Sequence, residues 1–300
     1  MSTPVLRFGP VSVYLGEKGG KYPDGNQVIV TGTDTKLAFD TPLVCNRLGS
    51  ELDGVEAVVL GHMHEDHAAG LRRLSGAAVF AHEADLEAVR SWEGLARHYG
   101  YGPVVLARMR EKIERDFHYA PRPDARAYRD GHVWDLGGAS VRAIHMPGHT
   151  AGHCVLLVEP EGVAFIGDID LTGFGPYYGD ACSSLPRFRE TLERVEHLPA
   201  RVWVTSHHKG ALTDRADFLA LLRAFRDKIA ARERAILDAL AAGPRSEGEL
   251  VAHRFLYPRG YQDTYVEDAE RISLTQHLAE LTGAGRVIQE GGRYRLGPRG

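Results

Sequence analysis

Within six residues, His62-Met63-His64-Glu65-Asp66-His67, the chain presents three imidazoles and two carboxylates directly after the apolar run Ala57-Val58-Val59-Leu60-Gly61. Imidazole nitrogens and carboxylate oxygens are donors suited to zinc and similar divalent ions, and a turn at a strand end lets them converge as a straight element could not. His62 and His64, two apart, point the same way if extended geometry persists through Met63. Asp66 and His67 lie past the bend and are placed to face a neighbouring ion. Such a density of ligand types beside a buried strand predicts a metal site rather than a solvated loop.

Three later positions repeat the pattern of a ligand-type residue in a loop after an apolar segment. His149 stands in Met146-Pro147-Gly148-His149-Thr150, where Pro-Gly ends the alternating stretch from Ala139 to Ile144. Asp168 follows Gly162-Val163-Ala164-Phe165-Ile166-Gly167, and His207 follows Arg201-Val202-Trp203-Val204-Thr205-Ser206. His207 and His208 are adjacent, and their spacing does not choose between them as the last ligand; the other, with Lys209, would be free to contact substrate.

Taken together these residues resemble the metallo-β-lactamase superfamily, whose hallmark is a His-x-His-x-Asp-His loop followed by His, Asp and His in that order. The resemblance covers roughly residues 5 to 225 and is complete at all seven positions. It implies a first ion held by His62, His64 and His149, and a second held by Asp66, His67 and His207, with Asp168 bridging both. It also favours His207 over His208 and implies an α/β fold, a four-layer αββα sandwich. Asp40 resembles the family's buried Asp that braces the ligand loop, although the usual Asp-Thr-Gly is Asp40-Thr41-Pro42 here. Two divalent ions follow from the resemblance, zinc first and manganese or iron as alternatives. A pair of ions sharing a water would bring its pKa toward neutrality and yield hydroxide as nucleophile, with Asp66 or Asp168 orienting it and accepting a proton. The expected activity is hydrolysis of an ester, thioester, lactone or phosphodiester.

The elements that must position these residues begin as a meander, Val11 to Leu15, Gln27 to Thr31 and Lys36 to Phe39. A short helix after Ala68, a strand from Ala77 to Ala81 and a helix from about Glu83 to Arg90 follow the ligand loop. Residues 92 to 130 carry Trp92, His98, Tyr99, Tyr101, His118 and Tyr119 around a helix near Val104 to Phe117, and read as an insertion over the site that walls a small-molecule pocket. The aromatic, glycine-rich run Gly173-Phe174-Gly175-Pro176-Tyr177-Tyr178-Gly179 should lie near the ions, with Tyr177 a candidate hydroxyl donor to an oxyanion. Its glycine spacing is not that of a dinucleotide fingerprint.

Helical periodicity returns from about Ser184 to Leu198 and from Asp214 to Ala242. The expected division is a catalytic domain at 1–226 and a small domain at 227–300: a helix near Ser246 to Phe255, a helix near Val266 to Leu281, and a hairpin turning at Gly291-Gly292. Helices followed by such a hairpin resemble a winged helix, which brings the chain near the β-lactamase-like endoribonucleases. If that domain reads RNA, Arg271, Gln276 and His277 are its natural contacts. Acidic and basic residues nearly balance beyond Lys228, which favours packing or homodimerisation instead.

The 300 residues allow one large domain and a small one, and the net charge of -4 excludes a global nucleic-acid or anionic-membrane footprint. No basic-then-apolar leader opens the chain and no apolar run is long enough to span a bilayer, so a soluble cytoplasmic protein acting on a small molecule or RNA is expected, with no membrane partner. Cys45, Cys154 and Cys182 are odd in number and lack paired spacing, which argues against a disulfide framework. Two other classes stand beside the hydrolase: an iron-dependent redox enzyme of sulfur-dioxygenase type, and a non-enzymatic winged-helix module that binds nucleic acid.

Overall fold

The computed structural model describes residues 3–298. A seven-stranded sheet runs in chain order through β1 (Val5–Phe8), β2 (Val11–Tyr14), β3 (Gln27–Thr31), β4 (Lys36–Phe39), β5 (Val55–Val59), β6 (Ala78–His82) and β7 (Arg126–Tyr128). Its first four strands pair antiparallel, and β4 through β7 pair parallel. A six-stranded sheet holds β8 (Val133–Asp135), β9 (Ser140–His145), β10 (Cys154–Glu159), β11 (Val163–Phe165), β12 (Val202–Val204) and β13 (Ala211–Leu212), again in chain order. Only β11 and β12 are parallel neighbours in it.

Alternation along the strands builds the layers, because successive side chains leave opposite faces. Val28, Val30, Leu37, Phe39 and Val59 of the first sheet pack on Val141, Leu156, Val158, Phe165 and Val204 of the second. The intervening residues Ile29, Ala38, Val58 and Val79 face α2 (Leu86–Arg90), α3 (Trp92–Tyr99) and α4 (Pro103–Asp116), after a single distorted early turn, α1 (Glu17–Gly20). On the far side Val155, Leu157, Ala164 and Trp203 meet α5 (Leu185–Arg194) and the first half of α6 (Arg215–Ala241), through Phe188, Leu192, Phe218, Leu222 and Phe225. Helices, sheet, sheet and helices are therefore stacked in that order.

The C-terminal part comprises β14 (Arg245–Ser246), α7 (Glu247–Val251), α8 (Val266–Gly283), β15 (Val287–Glu290) and β16 (Arg293–Leu296), its strands ordered β14-β16-β15. Ser246 and Glu249 form a reciprocal capping box that starts α7. Gly291 and Gly292 both take positive φ, 57° and 74°, as a two-residue hairpin requires. Leu250, Leu274, Leu278, Leu281 and Val287 close a separate small core with Ile236 and Leu240 of α6.

Several elements differ from expectation. The helix expected to reach Phe255 ends at Val251, and the turn after Ala68 is a 3-10 turn at Leu71–Leu74. The stretch expected as an insertion to about 130 ends earlier: Arg126–Tyr128 is β7, a full member of the first sheet. So short a strand carries no readable alternation, and β8, also of three residues, escaped for the same reason. The helix expected from Asp214 to Ala242 is α6, which runs unbroken through 226/227 and bridges the two parts. What changes is its packing, from the second sheet up to Ile229 to the small core from Ile236.

Candidate metal centre and pocket

The ligand-type residues all follow strands: His62 through His67 after β5, His149 after β9, Asp168 after β11 and His207 after β12. The loops meet at one edge of the sandwich because β9, β11 and β12 run in the same direction. The backbone is pinned there. Gly61 N donates to Asp40 Oδ1 at 2.7 Å, Cys154 N donates to Gly61 O at 2.7 Å, and Tyr128 Oη donates to Leu60 O at 2.7 Å. Gly167 needs its left-handed φ of 56° and its lack of a side chain, since a Cβ would lie 2.5 Å from His153 Nε2.

Two sets of donor atoms result. In one, His149 Nε2 lies 3.2 Å from His62 Nε2, 3.1 Å from His64 Nδ1 and 3.4 Å from Asp168 Oδ2. In the other, His207 Nε2 lies 3.1 Å from Asp66 Oδ2, and Asp168 Oδ1 lies 3.2 Å from His67 Nε2 and 3.6 Å from His207 Nε2. A tetrahedral zinc with bonds of about 2.0–2.1 Å has donor-to-donor edges of roughly 3.3–3.4 Å, so both sets fit such an ion. Asp168 turns one oxygen to each set.

The outward nitrogens explain why the inward ones are bare. His67 Nδ1 meets Asp40 Oδ2 at 2.7 Å, and His64 Nε2 meets Asp180 Oδ2 at 2.8 Å. His149 Nδ1 meets Tyr177 O at 3.0 Å, and His207 Nδ1 meets Asp24 O at 2.8 Å. Each partner is an acceptor, so each proton is held on the outward nitrogen and the opposite lone pair points to the centre. His67 Nε2 and Asp168 Oδ1 are buried without a hydrogen-bond partner, which would be costly unless a cation satisfied them. The residues present therefore fit two divalent ions.

Without an ion, the same carboxylates draw protons onto two of these rings. Burial opposes charge on His67 and His207, but Asp66 and Asp168 outweigh it, lifting His67 well above its ordinary range and His207 to about 10. Burial lowers His149 to about 3. Burial alone would raise Asp168, yet the surrounding imidazoles of His67, His207 and His62 hold its carboxyl well below the usual range. It is an anion placed between the two donor sets, where a bound cation would replace the protons that His67 and His207 otherwise take up.

Of the remaining expected residues, His208 takes a left-handed φ of 65° and turns into the pocket beside the centre, while His207 enters the second donor set. The Tyr177 hydroxyl is engaged by Tyr101 Oη at 2.8 Å and Asp180 Oδ1 at 3.0 Å. Asp40 meets His67 as the resemblance implied. Two bracing residues escaped the sequence. Asp85, which reads as a helix start, caps nothing; buried, it accepts from Met63 N, Thr150 Oγ1 and Gly152 N, tying the first ligand loop to the His149 loop. Asp180 sits 116 residues from His64, and only its carboxylate after an aromatic run could have drawn notice.

A cavity of about 370 Å³ opens over the centre, with His64, His149, Asp168 and His207 at its base. Tyr99 and Tyr101 of the expected insertion line it, as anticipated, together with Tyr22 and Tyr177. Tyr257, Tyr261 and Tyr265 from the C-terminal part also line it, which the sequence did not suggest. The expected RNA contacts on α8 are used within the chain: Gln276 bonds Leu185 N and Tyr178 O, His277 bonds the Tyr178 hydroxyl, and Arg271 pairs with Glu247 and Glu267.

The model of the metallo-beta-lactamase superfamily matches residues 6–231. An atrochrysone carboxyl ACP thioesterase of Pseudocercospora fijiensis is 27% identical over 200 residues, 65% of this chain and 57% of the relative, so that match spans little more than half of the relative's length. The atrochrysone carboxyl ACP thioesterase of Aspergillus terreus is 26% identical over 302 residues, covering 92% of this chain and 80% of the relative. A solved metallo-beta-lactamase family protein from Thermus thermophilus superposes with a TM-score of 0.69 at 25% identity, covering 96% of this chain and 98% of the other.

Proposed function

The chain belongs to the metallo-beta-lactamase superfamily, and from that premise we propose that it is a dinuclear metal-dependent hydrolase whose substrate is a thioester. The observation that carries the metal reading is that four of the five imidazoles, His64, His67, His149 and His207, have the outward nitrogen held by an acceptor while the inward nitrogens gather around Asp168. His62, His64 and His149 would hold one ion and Asp66, His67 and His207 the other, with Asp168 between them. Two divalent ions held there, zinc first among them, would supply a water of near-neutral pKa and polarise a carbonyl oxygen. The thioester is favoured by the relatives named as acyl-carrier thioesterases.

The chain's own residues do the rest. Asp168 and Asp66 hold negative charge beside the base of the cavity, where a proton released by the attacking water can be taken up. His208, in the cavity wall, is placed to meet the departing group. The aromatic walls limit solvent at the reacting carbon. In the overall reaction water adds to the acyl carbon, the carbon–sulfur bond breaks, and carboxylate, thiol and a proton leave.

The C-terminal part, with its short strand, helices and hairpin, is best described as a winged helix that serves as a wall of the catalytic body. The docking of Gln276 and His277 onto Leu185 and Tyr178 supports that role over RNA reading. The test is hydrolysis of acyl N-acetylcysteamine thioesters and of labelled single-stranded RNA by zinc-loaded protein, with Asp168→Ala and His64→Ala in parallel. Thioester turnover is expected in the wild type and lost in both variants with the fold intact. Equal turnover in the variants overturns the assignment; RNA cleavage by wild type alone replaces thioester with phosphodiester. Iron without zinc in protein purified without added metal would point to the oxygenase class.

A further inference from the structure

The chain between α7 and α8 places three tyrosines in the cavity wall, Tyr257, Tyr261 and Tyr265. Their rings are ordered. Tyr257 and Tyr261 stack at 5.2 Å between centroids with planes 10° apart. Tyr265 lies 10° from the plane of Tyr101, Tyr101 lies 21° from Tyr99, and Tyr99 lies 4° from the imidazole of His64. Similarly oriented rings thus run from the metal-ligand loop out to Tyr265, which Tyr257 meets edge-on with planes 74° apart.

The hydroxyls of the inner tyrosines are already occupied. Tyr99 donates to Glu65, and Tyr101 and Tyr177 donate to Asp180. What these residues offer a ligand is therefore ring face and edge rather than hydrogen bonds. The outer segment is held as firmly as the inner one. The buried Glu270 carboxylate accepts from Phe255 N at 3.0 Å, Leu256 N at 3.0 Å and Tyr257 N at 2.6 Å. Lys112 Nζ meets Asp263 Oδ2 at 2.6 Å, and Gly102 N donates to Asp268 Oδ2 at 2.8 Å, which fastens the segment and the start of α8 to α4.

Resting on the thioesterase reading, we infer that the acyl group this site takes is planar and aromatic, and that Tyr257 and Tyr265 are the residues that select it. A flexible aliphatic chain would gain from the apolar area alone. A planar ring also gains from the quadrupoles of pre-oriented rings, about two- to tenfold for each well-placed pair. A fixed wall avoids the ordering cost that a mobile loop would impose on binding.

The experiment compares kcat/KM for 2-naphthoyl and octanoyl N-acetylcysteamine thioesters in the zinc-loaded wild type, Tyr257→Leu, Tyr265→Leu and the corresponding Phe variants. Calorimetric titration of each protein with 2-naphthoate and octanoate runs alongside. The expected result is a preference of tenfold or more for naphthoyl, expressed in KM. It should be kept by the Phe variants, which retain the ring, and fall toward unity in the Leu variants while zinc content and melting temperature hold. Equal use of octanoyl by the wild type, or a preference that survives both Leu variants, overturns the inference. If no thioester is cleaved, the thioesterase reading fails by itself. Calorimetry then still decides the inference, since tighter naphthoate binding that weakens in the Leu but not the Phe variants sustains it and any other pattern refutes it.

Discussion

At the scale of single residues, the centre depends on acceptors that sit one bond behind the ligands. Asp180 is buried, holds the His64 proton outward and takes hydrogen bonds from two tyrosines that line the cavity. Asp180→Asn keeps the size but presents an amide that can turn its donor to His64, which frees the imidazole to take the wrong tautomer. Zinc affinity is expected to fall about 10- to 100-fold, as read by competition with a chromophoric chelator. Unchanged affinity would mean that packing alone orients His64. Glu270 is a buried acceptor away from the ligands, with one carboxylate serving three consecutive amides of the cavity wall. Glu270→Ala leaves those amides without a charged acceptor and should cost about 2–3 kcal/mol in urea unfolding.

At the scale of elements, α8 is attached to the catalytic body through its polar face. His277 is buried there against the Tyr178 hydroxyl, and burial, with help from Arg189 and Arg232, lowers its pKa to about 3. The sign follows from comparing states. Below the ordinary value near 6.5 the unfolded chain takes up a proton that the folded chain refuses until about pH 3, so stability falls as pH drops through that window. The loss attributable to His277 is expected to reach about 2 kcal/mol at pH 5. His277→Gln, which retains a polar partner for Tyr178 and does not titrate, should lose correspondingly less between pH 7 and pH 5. Urea unfolding at the two pH values checks this, and identical losses would discount His277 as the cause.

At the scale of the molecule, the ligands come from four loops that belong to both sheets, so ions bound among them link the two halves of the sandwich. Removal of metal by a chelator is expected to lower the melting temperature, and stoichiometric zinc to restore it. An ion present at 100 times its Kd contributes about 2.7 kcal/mol if it does not bind the unfolded chain. A melting temperature indifferent to chelation, with zinc content shown to be lost, would count against a structural link. Among the described residues no helix is long and apolar enough to cross a membrane. The long α6 joins the layers to the small C-terminal core, and that part in turn closes the cavity, so catalysis and the C-terminal fold share one wall.

What the sequence by itself determined is local chemistry. His62 to His67 lie next to one another in the chain, and His149, Asp168 and His207 each follow an apolar strand, so contiguity and turn signals made the candidate ligands legible, while the family resemblance assigned them to ions and chose His207 over His208. The apolar runs that became β5, β11 and β12 were likewise legible as the strands that deliver these ligands. Only the tertiary structure decided which carboxylates stand behind the ligands and which chain covers them. Asp40 behind His67 was implied by the resemblance, but Asp180 lies 116 residues from His64, and an isolated Asp carries no periodic signal of so distant a partner. Tyr257 and Tyr265 are held at the cavity by Glu270 nearby in the chain and by Lys112 and Gly102, more than 150 residues from their partners Asp263 and Asp268. Such long-range closures depend on the packing of whole layers, and that packing has no counterpart in any short stretch of residues.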